Sequence, residues 1–355
     1  MAPDWTRGDL RHRLDVVMVD PTSFTERGQL SGVEPSGNLN LTYYADKRMA
    51  AKITTYATDD GYDGSAALRL VHVVSDYTGE LWSETLGTFF VTSRTESASN
   101  GFVTADYTLE SMLYALEVQV LPRGLAVNKG ASLLAATKSV VSSCHRKVRV
   151  DGSARDARAG SAIVYDRGDS CLSAAMDLCS RSNNRLTVDA DGTVAIVGYV
   201  APANVAASFD VAEDSPGGMF IAPFKCEDNV REMPERYIVA SESGGSAVVG
   251  VAQIAGGKPS SHQVRGYTRD SFLQVSDLAP FNATRATQLA RSYLARDAQL
   301  EYKASHDLRY RPLREGQAEL LTANGTTRRW QIASATLDLA KWTWSLDLKG
   351  GWDAI

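Results

Sequence analysis

The sequence contains few residues of the types that most often hold metals or form redox pairs. Its 355 residues include only four cysteines and five histidines, with no C-x-x-C and no H-E-x-x-H motif. Cys171 and Cys179 lie on one predicted helix with their Cα atoms about 12 Å apart, which is beyond the reach of a disulfide. We therefore expect reduced, structural cysteines, and the sequence indicates no metal site and no cofactor.

Clustered positive charge and long apolar runs are also missing. The formal net charge is −5 at pH 7, and the sharpest basic stretches, 145–149 and 309–314, are short. Tight DNA binding needs clustered phosphate contacts, so a protein that grips DNA is not indicated. No window reaches the roughly 18 apolar residues of a membrane span, and residues 1–10 do not resemble a signal peptide. We expect a protein that is made in the cytoplasm and stays soluble there.

The remaining composition is that of a globular protein, and its first part has the pattern of β-strands. Hydrophobic residues make up 44% and charged residues 22% of a length that suggests two or three domains. The Asn100-Gly101 pair between apolar runs indicates a hairpin. Residues 1 to about 110 are therefore predicted to form a small barrel or sandwich. The alternation predicts strands at 10–20, 38–44, 49–56, 68–74, 89–93 and 102–107.

Helices and one hairpin are predicted for the middle of the chain. Helical spacing of apolar residues occurs at 109–117, 131–144 and 170–181. Residues 185–200 are typical of a hairpin that turns at Asp-Ala-Asp-Gly, residues 189–192. This middle part is therefore expected to be an α+β insert.

A second β-rich unit is predicted from Met219 onward. Its strands lie at 237–241 and 247–254, and one amphipathic helix is predicted over 282–305. Two hairpin-like blocks, 306–321 and 328–352, complete it.

The last predicted strand has a clear period of two. Its polar residues occupy alternate positions, so that one face is apolar and one faces a neighbour or solvent. The apolar face consists of Trp342, Trp344, Leu346 and Leu348. We expect these four side chains to be buried against the helix residues Leu289, Tyr293 and Leu294.

Three short motifs are near misses for ligand binding. Residues 189–192 lack the further ligands of a calcium loop, so a tight turn is favoured. Residues 256–258 (Gly-Gly-Lys) are followed by proline, where a phosphate loop has Ser or Thr. Residues 167–169 (Arg-Gly-Asp) spell an integrin-binding tripeptide, but we expect a loop before a helix that is capped by Asp169 or Ser170.

No arrangement of titratable residues indicates catalysis. His12 and His72 lie in predicted strands and are expected to be structural. The carboxylate pair Asp59/Asp60 sits in a glycine-containing turn and should be solvated, and Glu232/Glu235 flank a proline. The sequence has no G-x-S-x-G motif. We therefore assign no catalytic, cofactor-binding or metal-binding residue.

Several segments, taken in order, resemble those of a known family. The closing part matches best, with the helix followed by 311–317, 329–332 and the Trp342 strand. The other segments are Asn38–Thr42, Glu84–Val91, Tyr107–Leu113, Leu186–Val194 and Arg231–Ser243. In this order and texture the chain resembles the tail hub proteins of long-tailed bacteriophages. These comprise the baseplate hub of contractile phages and the structural N-terminal part of the siphophage tail-tip protein.

The resemblance implies a fold and an assembly. The fold is α+β and predominantly β, with two tube-like antiparallel β-barrel or sandwich domains, 1–115 and 211–355, and an α+β insert, 116–210. The implied protein is a non-enzymatic homotrimer that caps the tail tube as a ring and lets DNA pass through its lumen. Implied partners are the distal tail protein, the tape measure protein and tail-fibre or receptor-binding proteins. Its place is the virion tail tip, after assembly in the host cytoplasm.

Two other functions stay open at this point. A carbohydrate- or receptor-binding tail-tip module would use exposed aromatic residues such as Trp5, Tyr77 and Trp82 as a platform. A cell-wall hydrolase would need two carboxylates roughly 5 to 10 Å apart in a cleft, and the sequence cannot reveal such a cleft.

Overall fold

The chain divides into two compact units. The larger unit comprises Met1–Phe224, Ser305–Leu348 and Asp353–Ile355, and the smaller unit comprises Lys225–Ala304 and Lys349–Trp352. This division differs from the three segments predicted from the sequence, whose boundaries stay a prediction. The computed structural model describes residues 3–5, 7–43, 46, 48–56, 60–99, 102–200, 204–213, 219–228, 233–243, 246–256, 261–275, 282–297 and 302–353.

Seven strands form the first part of the larger unit, and neighbouring strands among them run antiparallel. Residues 49–56 form a strand with the predicted bounds and bury alternate side chains, as a half-buried strand requires. The strands are β1 Arg11–Val19, β2 Glu26–Gln29, β3 Val33–Thr42, β4 Met49–Tyr56, β5 Ala67–Asp76, β6 Gly79–Ser99 and β7 Phe102–Ser111. The pair Ser99 and Phe102 is in register, and the predicted turn at Asn100-Gly101 lies outside the described residues.

The middle of the chain alternates short helices and short strands, as predicted. Its elements are α1 Tyr114–Val118, β8 Leu125–Val127, α2 Leu133–Cys144, β9 Val148–Val150, β10 Ile163–Tyr165, α3 Cys171–Arg181, β11 Asn184–Val188 and β12 Val194–Gly198. β11 and β12 form the predicted hairpin, and β9 runs parallel to β12. The Ser170 hydroxyl accepts hydrogen bonds from the backbone N–H groups of Leu172 and Ser173, so the predicted cap of α3 is confirmed.

The remaining elements complete both units. They are β13 Ala207–Ala212, β14 Phe220–Asp228, β15 Arg236–Ser243, β16 Ser246–Gln253, α4 His262–Arg265, β17 Asp270–Gln274, α5 Ala283–Asp297, β18 Tyr302–Arg309, β19 Ala318–Ala323, β20 Thr326–Asp338 and β21 Thr343–Asp353.

One large sheet dominates the larger unit. Its described strands follow the order β14-β18-β21-β20-β3-β4-β7-β6-β5-β1-β2, and β19 pairs with β20 and β13. The antiparallel pairing of β20 with β3 sets Leu337 opposite Leu39, so the closing strands extend the sheet of the first strands. The predicted α+β, predominantly β class is confirmed. The order of the described strands is open at β14 and β2, and it does not return on itself as in a barrel.

The apolar face of the closing strand is buried as predicted. Trp344, Leu346 and Leu348 of β21 are almost fully buried, and the intervening residues are at least partly exposed. Trp342 comes just before the strand with a positive φ of 53°, and it is buried too. Its indole stacks on the imidazole of His72, with ring centroids 3.8 Å apart.

The predicted partner of that face was wrong. The helix α5 packs on the three-stranded sheet β16-β15-β17 of its own unit, where Leu294 joins a buried cluster and Leu289 and Tyr293 pack against it. At Gly250 of β16, an added Cβ would lie 2.1 Å from the Ala286 backbone, so only glycine permits this approach. The apolar stripe of the helix is thus satisfied by the strands that precede it in sequence.

Three other sequence predictions were wrong in detail. The closing helix was predicted to reach residue 305, but residues 302–305 already belong to β18, whose burial alternates with period two. Residues 306–321 do not form a hairpin, because β19 pairs with β20 around residues 324–325. The helix predicted from residue 109 begins at Tyr114, since Leu109 is held in β7 by pairing with β4 and β6.

Across the described residues, none of the helices combines the length and apolar character that crossing a membrane requires.

Candidate functional site

A cleft of about 530 Å³ lies in the larger unit where three chain segments meet. Strands β3 and β4 contribute apolar side chains, the β11–β12 hairpin contributes apolar and charged ones, and the loop between β18 and β19 contributes mainly polar ones. Its lining includes Leu39, Leu41, Met49, Arg185, Thr187, Val188, Tyr310, Arg314, Glu315 and Trp344.

Glu315 is the central charged residue of this cleft. Its carboxylate accepts hydrogen bonds from the Arg185 guanidinium at 2.6 Å and from the Thr187 hydroxyl at 3.1 Å. The Nε atom of Arg48 lies 3.8 Å from the same carboxylate. Burial raises the pKa of Glu315, and the positive charges of Arg185 and Arg48 oppose that rise. The two arginines thus balance the negative charge of a carboxylate that is almost fully shielded from solvent.

Aromatic and backbone contacts hold the two arginines in place. The Arg185 guanidinium lies 4.4 Å from the centroid of the Tyr43 ring, within the range of a cation–π contact. Arg48 donates a hydrogen bond to the Tyr43 carbonyl oxygen. Burial lowers the pKa of Arg48, and the Glu315 charge opposes this. Tyr43, Arg48, Arg185 and Glu315 therefore form one interlocked cluster.

A second ion pair borders the cleft. Arg314 donates to the Glu84 carboxylate, and the Tyr310 hydroxyl donates to the other oxygen of Glu84 at 3.3 Å. Burial and the neighbouring Glu84 charge raise the pKa of Tyr310. On the insert side, Arg149 binds Asp151 at 2.5 Å and Asp189 at 3.0 Å.

The turn at residues 189–192 attaches the insert to the large sheet. The Thr88 hydroxyl of β6 donates to the Ala190 carbonyl oxygen at 2.9 Å, and the His145 imidazole contacts the Gly192 carbonyl oxygen at 3.0 Å. Gly192 has φ +87°, and an added Cβ would lie 2.7 Å from the Phe24 ring. The predicted hairpin turn is confirmed, and its glycine is required by both the backbone conformation and this close contact.

The contacts at this site hold separate parts of the larger unit together. Each arginine named at the cleft has a carboxylate partner, and the contacts of Glu315 with Arg185 and of Glu84 with Arg314 join segments that are distant in sequence. Within the described ranges, no group of three or more His, Cys, Asp or Glu side chains is placed to hold a metal ion.

The two strand histidines belong to an aromatic cluster in the same unit. His12 Nδ1 lies 2.9 Å from His72 Nε2, and His72 also contacts Trp82, Tyr310 and Trp342. Burial, with His12 beside it, lowers the pKa of His72 to about 2. A neutral, packed imidazole agrees with the structural role predicted for it.

The aromatic platform predicted for a carbohydrate-binding module is only partly exposed. Trp5 and Trp82 pack edge to face at 5.1 Å, and Trp5 also contacts His72 and Tyr310. Tyr77 is 84% exposed.

The other candidate residues have structural surroundings. Asp60 was predicted to be solvated and is only 2% exposed, because it accepts hydrogen bonds from Thr55, Arg94 and Tyr107. Burial alone would raise the pKa of Asp60, but these hydrogen bonds hold it below its ordinary value. Asp59, Glu232, and the Gly257-Lys258-Pro259 part of the phosphate-loop near miss lie outside the described residues. Residues 167–169 lead into α3 as predicted.

No disulfide joins the four cysteines in the described part of the chain, and Cys171 and Cys179 are buried. Cys226 is exposed.

The sequence did not identify the Glu315 cluster. Its members are common charged residues far apart in the chain, and no short spacing relates them. The one available signal was the run Arg311–Gln317, which carried the family resemblance without indicating what its charges contact.

No protein-family model and no curated protein sequence matches the chain. Solved structures do match. The tail protein from Neisseria meningitidis MC58 has a TM-score of 0.69 at 13% identity, covering 95% of this chain and 96% of that one. The 43 kDa tail protein of prophage MuSo2 from Shewanella oneidensis has a TM-score of 0.64 at 12% identity, covering 95% and 98%.

A third match comes from a secretion system. The E. coli c3393 protein is a type VI secretion system component with structural similarity to the T4 phage tail proteins gp27 and gp5. It has a TM-score of 0.51 at 10% identity, covering 96% of this chain and 76% of that one. At these identities the similarity establishes the fold. Over nearly its whole length the chain has the fold of phage tail proteins, and the resemblance predicted from the sequence is confirmed at that level.

Proposed function

We propose that this chain is a structural, non-enzymatic component of a phage tail, the hub at the distal end of the tail tube. The observation that carries the proposal is the extent of the structural similarity. Two tail proteins, one of them from a prophage, are matched over 95% of this chain and over 96% and 98% of their own lengths. A similarity limited to one β-sheet would support only a shared domain.

The hub would be a homotrimeric ring in which two β domains of each chain alternate around the lumen. We keep segments 1–115 and 211–355 as these domains and 116–210 as the insert. A closed ring uses heterologous contacts, so each subunit needs two different, complementary lateral surfaces.

The ring would cap the tail tube and connect it to other tail proteins. Its neighbours would be the distal tail protein, the tape measure protein and tail-fibre or receptor-binding proteins, in a virion assembled in the host cytoplasm. DNA would pass through the lumen without being held, and a net charge of −5 suits this role, because basic walls would retain the phosphate backbone.

The ion-pair cluster at the cleft supports a mechanical role. Glu315 and Arg185 join the closing loop to the insert, and Thr88 and Ala190 join the insert to the large sheet. A tail component has to keep its parts in fixed positions when neighbours pull on it. Buried charges with several partners resist separation, because exposing a single partner leaves the others uncompensated.

Reconstruction of intact tails from particles that contain this protein tests the proposal. The fold should fit density at the distal end of the tube, adjoining the lumen. Density for the fold along the tube, at the head-proximal end or only in side fibres would overturn the hub assignment.

A further inference from the structure

Two of the four cysteines meet where two helices of the insert come together. Cys144 is the last residue of α2, and Cys171 is the first residue of α3. Their thiols share a side-chain hydrogen bond, although the segment that contains β9 and β10 separates them in sequence. The two sulfur atoms are therefore neighbours in the folded protein, with no bond between them.

Backbone contacts of Gln119 bring the same two cysteines together. The Gln119 carbonyl oxygen accepts a hydrogen bond from the Cys171 N–H group at 2.9 Å, and its side-chain amide donates to the Cys144 carbonyl oxygen at 3.3 Å. Gln119 directly follows α1. The ends of α2 and α3 are thus held against one short segment, and the closeness of the thiols follows from the backbone as well.

A second side-chain contact fixes the direction of the two helices. Thr137 of α2 shares a side-chain hydrogen bond with Cys179 of α3. Thr137 lies about two turns before Cys144, and Cys179 lies about two turns after Cys171, since one turn has 3.6 residues. The helices α2 and α3 therefore run antiparallel, and Cys144 and Cys171 lie at one end of their shared face.

The two thiols differ in their access to solvent. Cys144 is partly exposed, whereas Cys171 is almost fully buried. Burial, followed by the hydrogen bond and the charge of the Cys144 thiol, raises the pKa of Cys171 to about 12. A reagent from solution therefore reaches Cys144, and Cys171 reacts only with a sulfur atom that already lies beside it.

We propose that Cys144 and Cys171 are an oxidisable pair, which a low-molecular-weight disulfide such as oxidised glutathione converts into a disulfide bond between the ends of α2 and α3. Cytoplasmic thiols keep such pairs reduced, whereas disulfides persist outside cells. In oxidising surroundings the bond locks the two helices of the insert together. The inference does not depend on the hub function, because it rests on contacts within the insert.

The bond forms by two thiol–disulfide exchanges. The Cys144 thiolate attacks one sulfur of oxidised glutathione, which forms a mixed disulfide, breaks the glutathione S–S bond and releases one glutathione thiolate. The Cys171 thiolate then attacks the Cys144 sulfur and releases the second glutathione thiolate. Two electrons pass from the protein to glutathione, and the two thiol protons pass through water to the released thiolates.

The position of both cysteines at helix ends favours closure. His145, next to Cys144, has left the helix with φ −139° and ψ 133°, and Ser170, next to Cys171, is extended as well. A small movement of either end can therefore bring the sulfur atoms to the S–S bond length of about 2.0 Å without disrupting the interior of either helix.

Oxidation of the native full-length chain, followed by peptide mapping, tests the pairing. The protein is treated with oxidised glutathione at mildly alkaline pH, the remaining thiols are alkylated, and unreduced tryptic peptides are analysed by mass spectrometry. Peptides 139–146 and 168–181 contain Cys144 and Cys171. They should appear linked, at a mass about 2 Da below the sum of the two reduced peptides, and dithiothreitol should release them.

Alanine at each cysteine of α3 gives a matched comparison, because Cys171 and Cys179 are both buried on the same helix. Cys179→Ala should keep the linked peptides. Cys171→Ala should abolish the link and leave a glutathione adduct on Cys144. The pairing is overturned by linked peptides in Cys171→Ala, by a Cys144 adduct without a link in wild type, or by wild-type thiols that stay unmodified.

Hydrogen exchange measures whether the bond locks the insert. A disulfide removes conformational freedom from the opened chain, so amides of α2 and α3 should exchange at least about tenfold more slowly in oxidised than in reduced wild type. The same treatment should leave exchange in Cys171→Ala unchanged. Equal or faster exchange in the oxidised wild type would contradict the lock.

Discussion

Glu315 accepts a hydrogen bond from Arg185 at 2.6 Å, although 130 positions of sequence separate the two residues. The contact joins the loop after β18 to the first strand of the insert hairpin. Because Arg48 also approaches the carboxylate, one side chain ties the beginning, middle and end of the larger unit together. The site is accordingly a point where removal of a single group should affect the whole unit.

Replacing Glu315 with alanine should destabilise the larger unit strongly. Arg48 and Arg185 would remain in a region with little solvent and without their shared counter-charge, which costs about 3 kcal/mol or more. Urea unfolding followed by tryptophan fluorescence measures this. The half-exposed Arg149 gives a control, because Arg149→Ala should change the unfolding free energy by less than about 1 kcal/mol. Equal effects of the two variants would contradict the central role of Glu315.

The stability of the larger unit should fall at acid pH because of His72. Burial lowers the pKa of His72 to about 2 from its ordinary 6.5, so below that ordinary value the unfolded chain binds a proton that the folded chain does not. The stabilisation is complete above pH 6.5 and is lost as pH falls towards the folded pKa. Relative to His72→Gln, wild type should lose about 1 kcal/mol between about pH 6.5 and about pH 5.5.

Unfolding curves of both proteins across this range provide the measurement. Burial lowers the pKa of His306, but the hydrogen bond and the charge of Glu319 outweigh burial and raise this pKa above its ordinary value, which gives the opposite pH dependence. His306 is present in both proteins, so its contribution cancels in the difference. A difference that stays constant with pH would mean that His72 is not held neutral.

Shortening single side chains of the closing strand to alanine should reveal which of its faces is buried. Leu346 is almost fully buried, and Leu346→Ala should cost about 3 kcal/mol through lost contacts and the cavity that remains. Ser345, the residue before it, is exposed, and Ser345→Ala should change stability by less than about 0.5 kcal/mol. Thermal unfolding of the two variants compares them directly, and the reverse order of effects would place the register one residue off.

The Ser170 cap should contribute to the stability of the insert. Ser170→Ala removes the acceptor for the N–H groups of Leu172 and Ser173, at a cost of about 1 kcal/mol. The control is Ser173→Ala, at an exposed position three residues later. This substitution keeps the backbone N–H group and should be nearly neutral. Hydrogen exchange of the amides at the start of α3 would locate the effect, and unchanged exchange in Ser170→Ala would argue against the cap.

Local sequence patterns predicted most helices and strands, but they did not predict the contacts between segments that are distant in sequence. β4 has the bounds that its alternation predicts, because burial of every second side chain is recorded in the sequence itself. Residues 302–305, the start of β18, were assigned to a helix, since the alternating burial at Ala304, His306 and Leu308 begins directly after a helical pattern. Only the pairing of these residues with neighbouring strands decides whether they form a helix or a strand.

The local sequence also does not predict which element packs against a buried face. Trp342 and Leu294 are both apolar and both buried, and the sequence alone suggested that they meet. The helix instead packs on β15 and β16, a hairpin that precedes it in sequence, while Trp342 stacks on His72. The Glu315 cluster was missed for a related reason, because charged residues normally predict surface and only the fold shows which of them are buried together.

The number of copies in the tail tip tests the central claim most directly. Mass measurement of the isolated assembly, or counting of subunits in a reconstructed tail tip, gives this number. The proposed hub requires three copies in one ring. Six copies in the ring would identify a distal tail or tube protein instead, and a single copy would contradict ring formation altogether.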